Sequence, residues 1–241
     1  MIRVTAMTHR FVGGRAALDG VSFTVAAGES VAVVGPNGAG KTTLFLRLCG
    51  VLPGVRGEAT VANLDPADRE HRRKLAATVG VVFQNPDDQL FSPTVLDDVA
   101  FGPLNLGLSD IEARDRATEA LNAVGLPDHA ARVPHQLSGG EKRRAAIATI
   151  LSMRPGVLLL DEPSMFLDPR GRRELIYLVR DLPGTKLIAT HDLGLVLETC
   201  PRVLLLDGGK LVADGPTEQV LGNEMLMETH GLEVPYRLRN G

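Results

Sequence analysis

The 241-residue sequence has no tryptophan, two tyrosines and two cysteines, and only 4% of it is aromatic. Cys49 and Cys200 are too few for a disulfide framework and lack metal-ligand spacing. Both read as reduced, half-buried small hydrophobes of a cytosolic protein. Long apolar runs are also missing. None exceeds five residues, and Val157–Leu160 has four, whereas a membrane-crossing helix needs roughly 20. Met1–Thr5 alternates like a strand and has no apolar segment of the secretory kind, so no signal peptide is expected. Charge of one sign is lacking too. The 26 Lys and Arg and 29 Asp and Glu leave a net charge of −3 and a pI near 6.1, which disfavours a general nucleic-acid binder. His9, His71, His129, His135, His191 and His230 are scattered without ligand-like spacing. There is no internal repeat or low-complexity tract.

What is present is a chain 44% apolar, ample for one sizeable core. Ile2–Met7, Val21–Val25 and Val31–Val34 read as short strands divided by Gly13-Gly14 and Ala27-Gly28. After Gly35–Gly40 the period changes. Leu44, Phe45, Leu48, Val51 and Leu52 follow helical spacing up to Pro53-Gly54. The charged run Asp68–Lys74 reads as a solvated helix face, and Val79–Phe83 as a strand. Asn85 to about Arg154 shows helical or irregular patterning only. Strands return at Val157–Leu160, Lys186–Thr190 and Val203–Leu206, separated by helices near Asp168–Arg180 and Leu193–Glu198. Such alternation implies a parallel sheet with right-handed crossovers, and Leu204–Val212 adds a closing hairpin. The predicted architecture is a single α/β domain over 1–241. Residues 1–84 and 156–221 form a mixed-sheet core with an N-terminal antiparallel part, 85–155 an inserted helical subdomain, and 222–241 a C-terminal tail.

Gly35-Pro36-Asn37-Gly38-Ala39-Gly40-Lys41-Thr42 fits Gly-x-x-x-x-Gly-Lys-Ser/Thr between a strand and a helix. Glycines let successive backbone N–H groups turn inward around phosphate oxygens, and the following helix points its positive end at the same charge. Lys41 would reach the β- and γ-phosphates and the Thr42 hydroxyl would ligate Mg²⁺, with Thr43 next in the cradle. Val157–Leu160 ends in Asp161-Glu162-Pro163. A carboxylate closing a buried strand suits an Asp that holds Mg²⁺ through water, and Glu162 beside it is placed to polarise an attacking water. Ser138 with Glu141 three residues on is a capping box for a helix running through Ala145, Ile147 and Leu151. Gly139 and Gly140 are poor first-turn residues unless something must approach the backbone closely.

Leu137-Ser138-Gly139-Gly140-Glu141, taken with the phosphate loop and Asp161-Glu162, resembles the signature of the ABC ATPase family, and the elements from Val4 to Leu221 follow family order. The resemblance implies a P-loop nucleotide-binding fold, ATP and Mg²⁺ as cofactors, and ATP hydrolysis. It implies that Phe11 stacks on adenine, that Gln84 senses Mg²⁺ and the attacking water, and that His191 contacts the γ-phosphate. Leu167-Asp168 matches the loop that crosses to a partner subunit. It further implies a head-to-tail homodimer or heterodimer with a like ATPase, in which Ser138, Gly139, Gly140 and Glu141 of one subunit cover the γ-phosphate held by the other. One departure is Met165-Phe166, where the family usually has small residues; Glu162 and His191 are intact, so a hydrolytically competent site is expected.

Phe83–Phe91 and Val99–Pro103 resemble the ATPases of energy-coupling-factor importers, particularly the cobalt/nickel type. That likeness implies membrane-embedded transporter subunits as partners and a peripheral location on the cytoplasmic face of the cell membrane, with the ATPase of a vitamin importer of the same type, or of another ABC transporter, as the alternative. Phe83, Phe91 and Phe101 are then either core or a groove for a helix of the membrane subunit. A non-transport ABC protein acting on DNA or the ribosome would need a long coiled-coil insertion or tandem cassettes, and only about 50 residues separate Gln84 from Leu137.

Overall fold

The computed structural model describes residues 1–14 and 16–239. β1 (Ile2–Arg10) and β2 (Ala16–Val25) pair antiparallel. Both extend beyond the predicted limits, through irregular registers between Val4 and Arg10 that keep the strands paired. β3 (Ser30–Val34) leads into α1 (Lys41–Leu48). The apolar spacing carries this helix through Val51 and Leu52. In the structure it stops at Leu48, because Gly50 adopts φ +75°, the left-handed conformation that closes helices. β4 (Ala59–Val61), too short to stand out as a pattern, pairs with the other side of β1 and completes an antiparallel sheet β2-β1-β4.

A 3₁₀ turn at Arg69–His71 opens α2 (Arg72–Thr78), so the Asp68–Lys74 charges lie on exposed or half-buried turns. β5 (Val79–Val82) follows. Then come α3 (Val95–Asn105), α4 (Asp110–Ala123) and α5 (Gly139–Leu151), with no strand between β5 and β6 (Val157–Asp161). Each of these helices starts on a side-chain cap: Thr94, Ser109 and Ser138 accept hydrogen bonds from Asp97, Glu112 and Glu141 amides respectively. The chain continues as α6 (Pro169–Asp181), β7 (Thr185–Ala189), α7 (Leu193–Thr199), β8 (Arg202–Asp207) and β9 (Lys210–Pro216). The segment read as a tail carries α9 (Glu224–Thr229) and α10 (Tyr236–Arg239) behind α8 (Thr217–Leu221), with Met227 fully buried.

The main sheet has the order β5-β6-β7-β3-β8-β9, parallel except for β9, which pairs antiparallel with β8. Side chains alternate across its two faces with period two, and each face has its own core. Ala32, Val34, Leu158, Leu160, Ile188 and Leu205 share one core with residues of α3, α4, α5, α6 and α7. Val31, Val33, Leu159, Leu187, Leu204 and Leu206 pack against Leu44, Phe45 and Leu48 of α1 and the antiparallel sheet. This arrangement puts the carboxyl ends of β3 and β6 on one edge of the sheet with α1 beginning there, the usual place for a ligand crevice in parallel sheets.

Candidate functional site

The loop after β3 turns back on itself around two glycines that no other residue could replace. Gly35 (φ +148°) and Gly40 (φ +105°) are left-handed, and a Cβ at either would collide with a carbonyl oxygen, that of Leu206 or Ala17. Gly40 is also the residue before α1, which starts with no side-chain cap and no acidic residue in its first turn. An uncapped helix start offers orphan N–H groups and a partial positive charge. Lys41 is buried and folds its Nζ back onto the loop, donating to the Gly35 carbonyl at 2.7 Å and the Pro36 carbonyl at 3.1 Å. Burial pushes its ammonium below the usual lysine value, opposed by the nearby Glu162 and Asp161.

At the end of β6, Asp161 receives a hydrogen bond from Thr42 Oγ1 to its Oδ2 at 2.7 Å. Burial pushes its carboxyl upward, while that hydrogen bond and Lys41 pull it back. Two hard oxygens at this separation suit Mg²⁺, which takes few protein ligands and completes its shell with phosphate and water. Glu162 is 7% exposed and sits at φ +46°, a left-handed conformation costing on the order of 1–3 kcal/mol for a non-glycine residue. Its Oε2 accepts from Thr190 Oγ1 at 3.1 Å and the His191 amide at 3.3 Å, and lies 2.8 Å from His191 Nδ1.

Phe11, Ala17, Asn37, Gly38, Ala39, Gly40, Lys41, Thr42, Thr43, Gln84, Asp161 and Glu162 line one cleft of about 380 Å³. Phe11 is half exposed there, its ring edge-on to His9 at 4.8 Å between centroids. Gln84 Nε2 donates to Met165 Sδ at 2.9 Å. Four of the sequence-derived residues lie elsewhere. Ser138, Gly139, Gly140 and Glu141 line a different cleft, together with Phe166, Asp168 and Arg170. Here Ser138 Oγ and its amide both donate to Glu141 Oε2 at 2.8 Å, and Glu141 Oε1 lies 2.9 Å from His129 Nε2. The two Ser138 hydrogen bonds, helped by His129, hold the Glu141 carboxyl down at about 2. A Cβ on Gly139 or Gly140 would come no nearer than 3.8 Å or 3.9 Å to any atom of the chain, so internal packing does not require glycine at either.

Three participants were not singled out for this role in the sequence. Thr190, fully buried, aims its hydroxyl at Glu162. Met165 touches Gln84 through its sulfur. Arg143, on α5, donates to the carbonyls of Phe83 and Gln84. None belongs to a contiguous motif with its partner, which is why residue spacing did not reveal the contacts.

A third depression, beside β5 and α3, is lined mainly by apolar side chains. Phe91 and Phe101 are 64% and 48% exposed and meet edge-to-face at 5.2 Å, with Phe83 half-buried beside them. The core alternative for Phe91 and Phe101 is thereby overturned: both side chains stand in a groove of about 470 Å³. Among the described residues no helix is long and apolar enough to cross a membrane, and no three His, Cys, Asp or Glu side chains form a metal-holding group.

The sequence profile described as "ABC transporter" matches residues 18–165. A Geobacter sulfurreducens protein provisionally named an ABC transporter ATP-binding protein is 49% identical over 239 residues, covering 99% of this chain and 96% of its own. The energy-coupling factor transporter ATP-binding protein EcfA of Methanoculleus marisnigri is 45% identical over 98% of this chain and 86% of its own. Among solved structures, cbiO1 from Clostridium perfringens, described as part of the ABC transporter complex cbiONQ, superposes with a TM-score of 0.82. It is 35% identical, with 99% of this chain and 97% of that one covered.

Proposed function

The chain belongs to the ABC transporter family of ATP-hydrolysing subunits, and we propose that it is the motor of an energy-coupling-factor-type importer. The observation that carries this reading is the division of the family's residues between two clefts. Lys41, Thr42, Asp161, Glu162 and Gln84 line one; Ser138–Glu141 line the other. Two glycines with open space above them at a capped helix start are explained if a triphosphate approaches from a second subunit. Two like subunits, head to tail, would then share each nucleotide.

Within one cleft the geometry supports the roles that the family resemblance implies. The adenine would stack on Phe11, and the Lys41 ammonium would exchange its two carbonyl acceptors for the β- and γ-phosphate oxygens. Thr42 and Asp161 would hold Mg²⁺, which supplies charge neutralisation between those phosphates. Glu162, fixed by Thr190, would orient and polarise the attacking water, with Gln84 and His191 at the γ-phosphate. Phosphoryl transfer needs mainly such positioning and charge stabilisation.

The energy-coupling-factor assignment is supported by the 45% identity to EcfA, the likeness to cbiO1, and the exposed Phe91–Phe101 groove, which has the shape and apolarity to receive a helix. The cargo is proposed to be a cobalt or nickel ion, on the resemblance of Phe83–Phe91 and Val99–Pro103 to that importer type. Its recognition would fall to a membrane partner.

Glu162→Gln tests the motor. Mg-ATP binding should persist while hydrolysis falls by roughly 10²-fold or more, and light scattering should report a trapped dimer. A variant that stays monomeric in saturating Mg-ATP overturns the shared-nucleotide reading.

A further inference from the structure

The fully buried side chain with the largest volume is a charged one. Arg143 lies in the second turn of α5, 1% exposed. Its Nη1 donates to the Phe83 carbonyl at 2.7 Å and its Nη2 to the Gln84 carbonyl at 2.5 Å. Nε is buried with no hydrogen-bond partner among the described residues. Taking a guanidinium out of water carries a desolvation cost that its hydrogen bonds must offset. What it fixes is the peptide that follows β5, where the strand ladder has ended and the backbone turns into the nucleotide cleft. The neighbouring Lys142 makes a second, more superficial tie to the same segment through Asp87 at 2.6 Å.

Burial pushes the Arg143 guanidinium below its usual value, opposed by the nearby Asp161 and Glu162 carboxylates. The same cation therefore feels the catalytic carboxylates, grips the backbone of Gln84, and rides on the helix whose start presents Ser138 to the other cleft. We propose that Arg143 is a positioning residue: its fork holds Gln84 at the edge of the nucleotide cleft and makes that edge move as one body with the start of α5. It does not touch substrate. A planar fork bonding two successive carbonyls cannot be replaced by the single point charge of lysine without losing one of the two restraints.

The inference rests on the role assigned to Gln84 above, and a double-mutant cycle separates the two. Mg-ATP hydrolysis by the full chain is measured for the parent, Arg143→Lys, Gln84→Ala and the double variant, alongside nucleotide affinity. Arg143→Lys should lower kcat by about 10-fold, with nucleotide affinity changed less than about 2-fold. In the Gln84→Ala background the same substitution should change kcat by less than about 2-fold, because the group it positions is gone. Arg143→Met, measured in the same cycle, should behave alike, and only a folded variant with parental affinity is counted. If the two effects multiply, Arg143 acts elsewhere and the inference fails while Gln84 keeps its role. If Gln84→Ala alone leaves kcat intact, the role of Gln84 falls and the inference with it. An unchanged kcat in Arg143→Lys also overturns it.

Discussion

Glu141 shows how one side chain can serve a cap and a binding surface together. Its carboxylate satisfies the Ser138 amide and hydroxyl at the start of α5 and reaches His129. A folded value of about 2, below the ordinary 4.5, means the carboxylate stabilises the fold fully above pH 4.5. That stabilisation is lost as pH falls from about 4.5 toward 2. Glu141→Gln should therefore lower Tm near neutral pH, and the gap between the two melting curves should close across that window. A gap independent of pH would remove the ionised pair from the account. At this scale legibility followed chain distance. Lys41, Thr42 and Glu162 were readable because their chemistry demands fixed residue types a few positions apart. Thr190 and Arg143 meet partners 28 and 59 residues away, at Glu162 and Gln84, a proximity that only the folded sheet creates.

Among elements, α6 illustrates the balance between local signals and packing. Asp168 accepts from the Gly171 amide at 2.7 Å and Pro169 occupies the first helical position, so sequence placed its start correctly. Asp168→Ala should cost about 1 kcal/mol and lower Tm by roughly 2–4 °C in a chain of this size, measured by thermal melts. Because Asp168 also lines the Ser138 cleft, ATP-driven pairing is expected to weaken in the same variant. Sequence erred where an element is short or ended by backbone conformation alone. β4 has three residues. The end of α1 depends on Gly50 turning left-handed, while Val51 and Leu52 continue the apolar spacing and mislead. At the far end of the chain, α9 is anchored by Met227 in the core and by His230 Nδ1, 2.9 Å from Asp207 Oδ2. Neither contact has a local signature.

For the whole molecule, the exposed Phe91–Phe101 pair stands in an apolar groove of the kind that marks interaction sites on protein surfaces. Phe91→Asp should abolish co-purification with detergent-solubilised membrane subunits and, with it, cobalt or nickel uptake by cells. Loss of vitamin uptake in its place would overturn the proposed cargo and keep the docking surface. Sequence identified these aromatics but left core and groove open, because the period of α3 does not say which neighbour is missing.

The order β5-β6-β7-β3-β8-β9 has a consequence for how the protein is made. β3 carries the phosphate loop, yet its neighbours are β7 and β8, whose residues lie about 150 or more positions further along. A ribosome has synthesised most of the polypeptide before that strand can be flanked on both sides, and such distant pairings form slowly. Nascent or prematurely terminated chains therefore hold an unsupported Gly35–Lys41 segment. Chains truncated before β7 are therefore expected to bind Mg-ATP far more weakly than the full chain, which nucleotide titration would check.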